Sequence, residues 1–109
     1  MNGVFEVYKD QRGEHRFRLK APNGQTILQS EGYTSKAACM NGIQSVKENA
    51  AMEERFETSV DKGGKHRFNL LAGNRQIIGT SEGYQTENNM QNGIKSVGRW
   101  APDAPVKEV

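Results

Sequence analysis

Three cations stand at alternate positions, Arg16, Arg18 and Lys20, interleaved with His15, Phe17 and Leu19. On an extended strand, residues two apart share a face at a spacing of about 6.6 to 7 Å. Such a row can meet successive phosphates, and Tyr8 nearby could offer a ring for a base to stack on. The chemistry would be anion or nucleic-acid binding. The competing reading is that Glu6 and its acidic neighbours pair with the arginines across strands, a common way to dress a solvated sheet face. A later stretch with the same pattern keeps Arg67 but has Asn69 and Leu71 where the other two cations would stand. A solvated, ion-paired face is therefore the leading expectation. The alternative is an RNA- or DNA-binding face built from Tyr8, Arg16, Arg18, Lys20 and Arg67.

The remaining reactive groups are weaker candidates. His15 and His66 occupy matching strand positions, but one His per unit without a Cys or second His lacks metal-site spacing. Cys39 lies on an apolar helical stripe, where a buried, inert thiol is expected, because reactive cysteines need a polarised and accessible setting. Ser30-Glu31 and Ser81-Glu82 have no His close in sequence to make an acid–base pair. Gly13, Gly24 and Gly32 are not ordered as strand, Gly-rich loop and helix with a following Lys-Ser or Lys-Thr, so no phosphate loop is expected. No catalytic residue, metal ligand or cofactor site follows from these patterns. Trp100, at the end of the second helical stripe, reads as a core plug where helix meets tail.

These residues are positioned by elements that occur twice. Ser30-Glu31-Gly32-Tyr33 leading to Asn41-Gly42-Ile43 returns as Ser81-Glu82-Gly83-Tyr84 leading to Asn92-Gly93-Ile94, at a constant offset of 51 residues. Comparing positions 5–50 with 56–101, 22 of 46 are identical without a gap, which makes the chain an internal duplication. The units run 1–51 and 52–109. Each is near the lower size limit for independent folding, so both are expected to share one core in a single integrated domain.

Within a unit, residues 4–9 and 15–20 alternate as strands, separated by Asp10-Gln11-Arg12-Gly13, a turn repeated at Asp61 with Gly63-Gly64. Pro22-Asn23-Gly24 closes a second turn, and Gln25–Ser30 forms a third strand around Ile27, with Ile78 as its counterpart. Gly32 is expected to supply a backbone conformation other residues resist. Thr34 or Ser35 caps the following helix, and Thr86 caps its repeat. From Lys36 to Asn49, Ala38, Cys39, Gly42, Ile43 and Val46 follow helical spacing. Asn41-Gly42 is also a hairpin dipeptide, but the stripe passes through it in phase in both copies. A helix-interior Gly costs about 1 kcal/mol relative to Ala, so Gly42 and Gly93 are expected to face the sheet, where a methyl group would hold the helix away.

The linking segment Ala50–Arg55 is short and charged rather than Gly/Ser-rich, which argues against freely swinging units. Pro102 ends the second helix, and Val106–Val109 alternates as a short edge strand. The assembled fold is α+β: tandem βββα(β) units with pseudo-twofold symmetry, one antiparallel sheet and two helices packed on one face. The other face would carry Glu6, Tyr8, Arg16, Arg18, Lys20, Glu57, Ser59, Arg67 and Asn69 and be open to water.

The chain has 109 residues, 15 basic and 13 acidic, for a formal charge of +2 and a pI near 8.8. That balance permits an anionic partner without demanding one. One cysteine excludes an intramolecular disulfide and suits a reducing compartment. The opening Met1–Glu6 lacks a basic and apolar signal pattern, and no apolar run approaches membrane-spanning length, which predicts a soluble cytoplasmic protein.

The run Phe-Glu, Arg-Phe-Arg-Leu-Lys-Ala, Gly-Gln with Ile, Ser-Glu-Gly-Tyr and Asn-Gly-Ile-Gln-Ser-Val-Lys resembles the YegP-like family of small, mostly bacterial proteins of uncharacterised function. The resemblance spans nearly the whole chain in both copies. It implies strand-strand-strand-helix-strand units merging into one sheet with carboxy-terminal strands exchanged between units, which would place Val106–Val109 beside the first copy. The second copy departs at Asn74-Arg75 for Asn23-Gly24, which affects the second turn, and at Gly79 for Leu28, which affects an outer-face contact. The family brings no catalytic or ligand-binding residues to carry over. The functional expectation is a monomeric, non-enzymatic binding or interaction module with an internal pseudo-dimer, pairing with a protein partner through a sheet edge or its open face.

Overall fold

The computed structural model describes residues 3–109. Met1 and Asn2, where the amino-terminal signal reading begins, lie outside that range. The first copy runs β1 (Val4–Lys9), β2 (His15–Lys20), β3 (Thr26–Gln29) and α1 (Lys36–Asn49). A 3-10 turn at Glu53–Arg55 leads into the second, β4 (Phe56–Val60), β5 (His66–Leu71), β6 (Ile77–Thr80) and α2 (Glu87–Trp100), followed by β7 (Val106–Glu108). Alternating apolar and polar residues make each three-stranded meander two-faced, and the helical stripes cover the apolar face.

All seven strands form one sheet in the order β4-β5-β6-β3-β2-β1-β7. The copies meet where β3 and β6 pair antiparallel at Gln29 and Thr80, so the pseudo-twofold axis passes through the middle of the sheet. The sheet is not wholly antiparallel. β7 runs parallel to β1, with Val106 opposite Phe5 and Glu108 opposite Val7, a direction open to it because β1 and β7 are joined through the rest of the chain and not by a hairpin.

A single core cluster takes residues from both copies. Phe5, Phe17, Leu19 and Leu28 are fully buried beside Phe68, Leu70 and Val97. Each such side chain contributes about 1.5 to 3 kcal/mol of transfer free energy. Gly42 and Gly93 face inward as the stripe predicts. A Cβ on Gly42 would stand 2.5 Å from the Tyr33 hydroxyl oxygen and 3.1 Å from Phe17 Cε2. Tyr33 in turn stacks on Phe17 with ring centroids 6.3 Å apart, and Tyr84 stacks on Phe68 in the second copy at the same separation. The Gly of Asn-Gly-Ile and the Tyr of Ser-Glu-Gly-Tyr are thus two halves of one close contact, made twice.

Three local expectations are corrected. Gly32 is not in the left-handed region; a Cβ there would meet the Glu14 side chain, whose flexible carboxylate end can swing aside. Leu28 is not an outer-face residue. The register shifts between Leu19 and Lys20, and this β-bulge turns the consecutive Ile27 and Leu28 both into the core. The second turn forms in both copies: Ala72 N donates to Gln76 O at 2.9 Å as Ala21 N donates to Gln25 O. Arg75 accepts φ 69° where the first copy has Gly24 at 86°.

The helix caps follow the sequence, Ser35 Oγ accepting from Ala38 N and Thr86 Oγ1 from Asn89 N. The link is held at both ends. Arg55 donates to Asn49 Oδ1 at 2.9 Å, and Asn49 donates to Ser45 O at 2.8 Å.

Candidate functional site

The structure gathers the predicted cationic row on one face and supplies each cation with a partner. Glu6, on β1, stands opposite Arg18; its Oε1 lies 2.7 Å from Arg18 Nε and 3.2 Å from Lys20 Nζ. The Arg18 hydrogen bond, aided by Lys20, holds the Glu6 carboxyl below its usual value. Arg18 also lies over the Tyr8 ring, 4.6 Å from its centroid, so that face of the ring is occupied. Cation–π and ion-pair contacts on a half-exposed sheet are each worth about 0.2 to 1 kcal/mol, yet together they set the row's geometry.

Arg16 is fixed by a different device. Asp10 closes the β1–β2 turn by accepting from Arg12 N and Glu14 N through Oδ1, leaving Oδ2 to meet Arg16 Nε at 2.6 Å. The Arg16 guanidinium also reaches Ser30 O. Ser30 Oγ accepts from Phe17 N at 2.8 Å and donates to Glu31 O. The second copy repeats every link with Asp61, Arg67 and Ser81. Arg16 and Arg67 are therefore ends of a duplicated turn-and-strand lock, which also accounts for the Ser of Ser-Glu-Gly-Tyr.

The other candidates are dispersed. The sheet order puts β6 and β3 between His15's strand and His66's, about 14 Å at normal strand spacing, and the two histidines begin antiparallel strands from opposite ends. Each forms a backbone bridge to a tyrosine of its own copy. Among the described residues no three His, Cys, Asp or Glu side chains gather as a metal site. Cys39 is fully buried, and burial pushes its thiol up. Glu31 and Glu82 are exposed. Trp100 is half-buried against the core, with Arg99 over its ring at 4.7 Å. Among the described residues no helix is long and apolar enough to cross a membrane.

Sequence reasoning missed the largest difference between the copies. β7 covers the outer edge of β1, with Phe5 N donating to Pro105 O at 2.9 Å and Val109 N to Val7 O at 3.0 Å. β4 is the counterpart of β1, and among the described residues no strand lies beside its outer edge. Phe5 is fully buried while Phe56 is only half-buried, and Val60 is 60% exposed. Two grooves flank this edge on the helix side. One, of about 390 Å³, is lined by residues including Ala50, Phe56, Ile94 and Gly98. The other, of about 230 Å³, lies among Thr58, Ser59, Val60, His66, Glu87 and Met90. The signal was in the offset of 51. Residues 55–57 are the counterparts of 106–108, and because they turn into and begin β4 they cannot also lie beside it.

A family model described as "Domain of unknown function (DUF1508)" matches residues 10–57 and again 61–108. A UPF0339 protein in the ptx operon 5′ region of Stutzerimonas stutzeri is 53% identical over 109 residues, covering 100% of this chain and 98% of that protein. The UPF0339 protein YegP of Shigella flexneri is 50% identical over 97 residues, 89% of this chain and 88% of its own. The solution NMR structure of yegP from E. coli, described as a protein of unknown function, superimposes with a TM-score of 0.94 at 46% identity, covering 99% of this chain and 93% of that one. A Shewanella oneidensis UPF0339 structure gives a TM-score of 0.93 at 44% identity, covering 99% and 92%.

Proposed function

The chain belongs to the family of the Domain of unknown function (DUF1508), whose description names no function, and from its own geometry we propose that it is a non-catalytic interaction module that captures an extended segment of a partner protein along β4. The observation that carries this reading is the unequal treatment of two equivalent edges: β1 is covered by β7, and β4 is bare. An uncovered edge presents unpaired N–H and C=O groups to another chain. Phe56–Val60 carries no Pro, Lys or bulge, and its one charged side chain is Glu57. By the alternation seen in β1, Thr58 turns its carbonyl outward as Val7 does, and Val60 supplies exposed apolar surface on the helix side.

The cationic face supports this role less well. Two carboxylates already engage its three cations, so an incoming phosphate would have to compete with Glu6 for both Arg18 and Lys20. The β4 edge requires no contact to be broken first.

Selection of a random peptide library on the immobilised protein tests the reading. Enriched peptides should shift the amides of Phe56–Val60 and lose binding in Thr58→Pro, which removes a backbone donor from an edge position without touching the core. Peptides that map onto Arg16, Arg18 and Lys20, or a library that yields no binder, would overturn it.

A further inference from the structure

The chemistry of the partner is written in the two acidic groups that flank the vacant strand position. This step rests on the edge reading above. Where the edge is filled, β7 lies parallel to β1 with Lys107 opposite Glu6 and Glu108 opposite Val7. Successive strand residues point to opposite faces, so Lys107 joins the open face with Glu6, and Glu108 turns to the helix side. There it forms an ion pair with Lys36, the first residue of α1.

The bare edge reverses one of these charges and keeps the other. Glu57 replaces Glu6, but Asn69 and Leu71 replace Arg18 and Lys20, and among the described residues Glu57 forms no ion pair. The counterpart of Lys36 is Glu87, the first residue of α2, which lines the recess beside Thr58 and Val60. An incoming parallel strand therefore meets a carboxylate on each face at consecutive positions.

We propose that β4 accepts a parallel peptide segment of the pattern apolar-basic-basic, its first basic side chain meeting Glu57 and its second meeting Glu87. The apolar residue takes the place that Val106 holds opposite Phe5, beside the groove at Phe56. The chain's own 106–109 segment satisfies the first charge through Lys107 and fails at the second, because Glu108 would face Glu87. Like charges at this position disfavour pairing with the tail of a second copy while admitting a foreign segment, so the pair Glu57 and Glu87 selects the partner as well as binding it.

Amide shift titrations with two synthetic hexapeptides test this assignment, one copying residues 104–109 and one carrying Glu108→Lys. The Glu108→Lys peptide should bind the unmodified protein about fivefold more tightly, from relief of one repulsion and gain of one exposed ion pair. Shifts should centre on Glu57–Val60 and Glu87. In the Glu87→Lys protein, whose Thr86 cap is untouched, the preference should invert. Binding at β4 with no charge preference, or with a preference that survives Glu87→Lys, would overturn the assignment while leaving the edge reading in place. Silence at β4 with both peptides would sink both. Dimerisation of the protein alone, with the same amides shifting on dilution, would assign the edge to a second copy and overturn the foreign-segment assignment.

Discussion

Leu28 occupies the space that Gly79 leaves empty. A Cβ on Gly79 would stand 2.7 Å from both Leu28 Cγ and Leu28 Cδ2, and these two residues are each other's counterparts across the pseudo-twofold axis. A perfectly symmetric duplication would bring two leucines to the axis, where one fits.

The pair makes a double-mutant prediction. Leu28→Gly should cost about 3 to 5 kcal/mol by opening a cavity, and Gly79→Leu about 1 to 3 by overpacking. The exchanged protein, Leu28→Gly with Gly79→Leu, should recover a large part of the summed loss, because the volume on the axis is restored. Urea unfolding of the four proteins measures the coupling; strictly additive losses would show that the two residues do not share one space.

A second coupling joins Gly42 to Tyr33. Gly42→Ala should lower stability even though Ala is the better helix former by about 1 kcal/mol, since its methyl group would press on the Tyr33 ring end. Tyr33→Phe removes the hydroxyl oxygen that lies nearest and should relieve part of that loss. Thermal melts of the single and double variants read the difference. A raised melting temperature for Gly42→Ala alone would mean that the helix has room to move outward.

These two contacts show what the sequence discloses and what it hides. Helix limits, caps, turns and the inward Gly face follow from local spacing, and the offset of 51 reveals the duplication. The bulge at Leu19 and Lys20 is hidden, because nothing in Thr26–Gln29 announces that two consecutive residues will face one side. Of the candidate site, the cationic row and its cross-strand pairing with Glu6 were legible from alternation, whereas the choice of Arg18 and Lys20 for Glu6, with Arg16 left to Asp10, needed the register. The bare edge was hidden for a topological reason. Residues 55–57 lead into and begin β4, so the second copy cannot receive the strand that the first receives from 106–108.

The acidic limb of stability should trace to the duplicated turn locks. Hydrogen bonds from Arg16 and Arg67, with backbone donors, hold Asp10 and Asp61 below the ordinary 3.8. A carboxylate lowered in the folded state stabilises fully above its ordinary value and loses that contribution as pH falls from there through the lowered one. Stability should therefore decline as pH drops below about 4, and Asp10→Asn with Asp61→Asn should be less stable at pH 7 and flatter below pH 4. Both carboxylates are half-buried in surface turns and screened by solvent, so the effect should be modest. Denaturant midpoints across pH 2 to 7 check it, and parallel curves for the two proteins would assign the acid limb elsewhere.

The cationic face has its own decisive variant in Glu6→Gln. In the unmodified protein a short mixed-sequence RNA should leave the amides of Arg16, Arg18 and Lys20 unshifted at physiological salt, because Glu6 holds two of these cations and Asp10 the third. Glu6→Gln removes the shared carboxylate, and weak binding should emerge at low salt and fade steeply as salt rises, the signature of counterion release. Salt-sensitive shifts already present in the unmodified protein would mean that phosphate competes successfully with Glu6, and would move the functional surface from the β4 edge to the middle of the sheet.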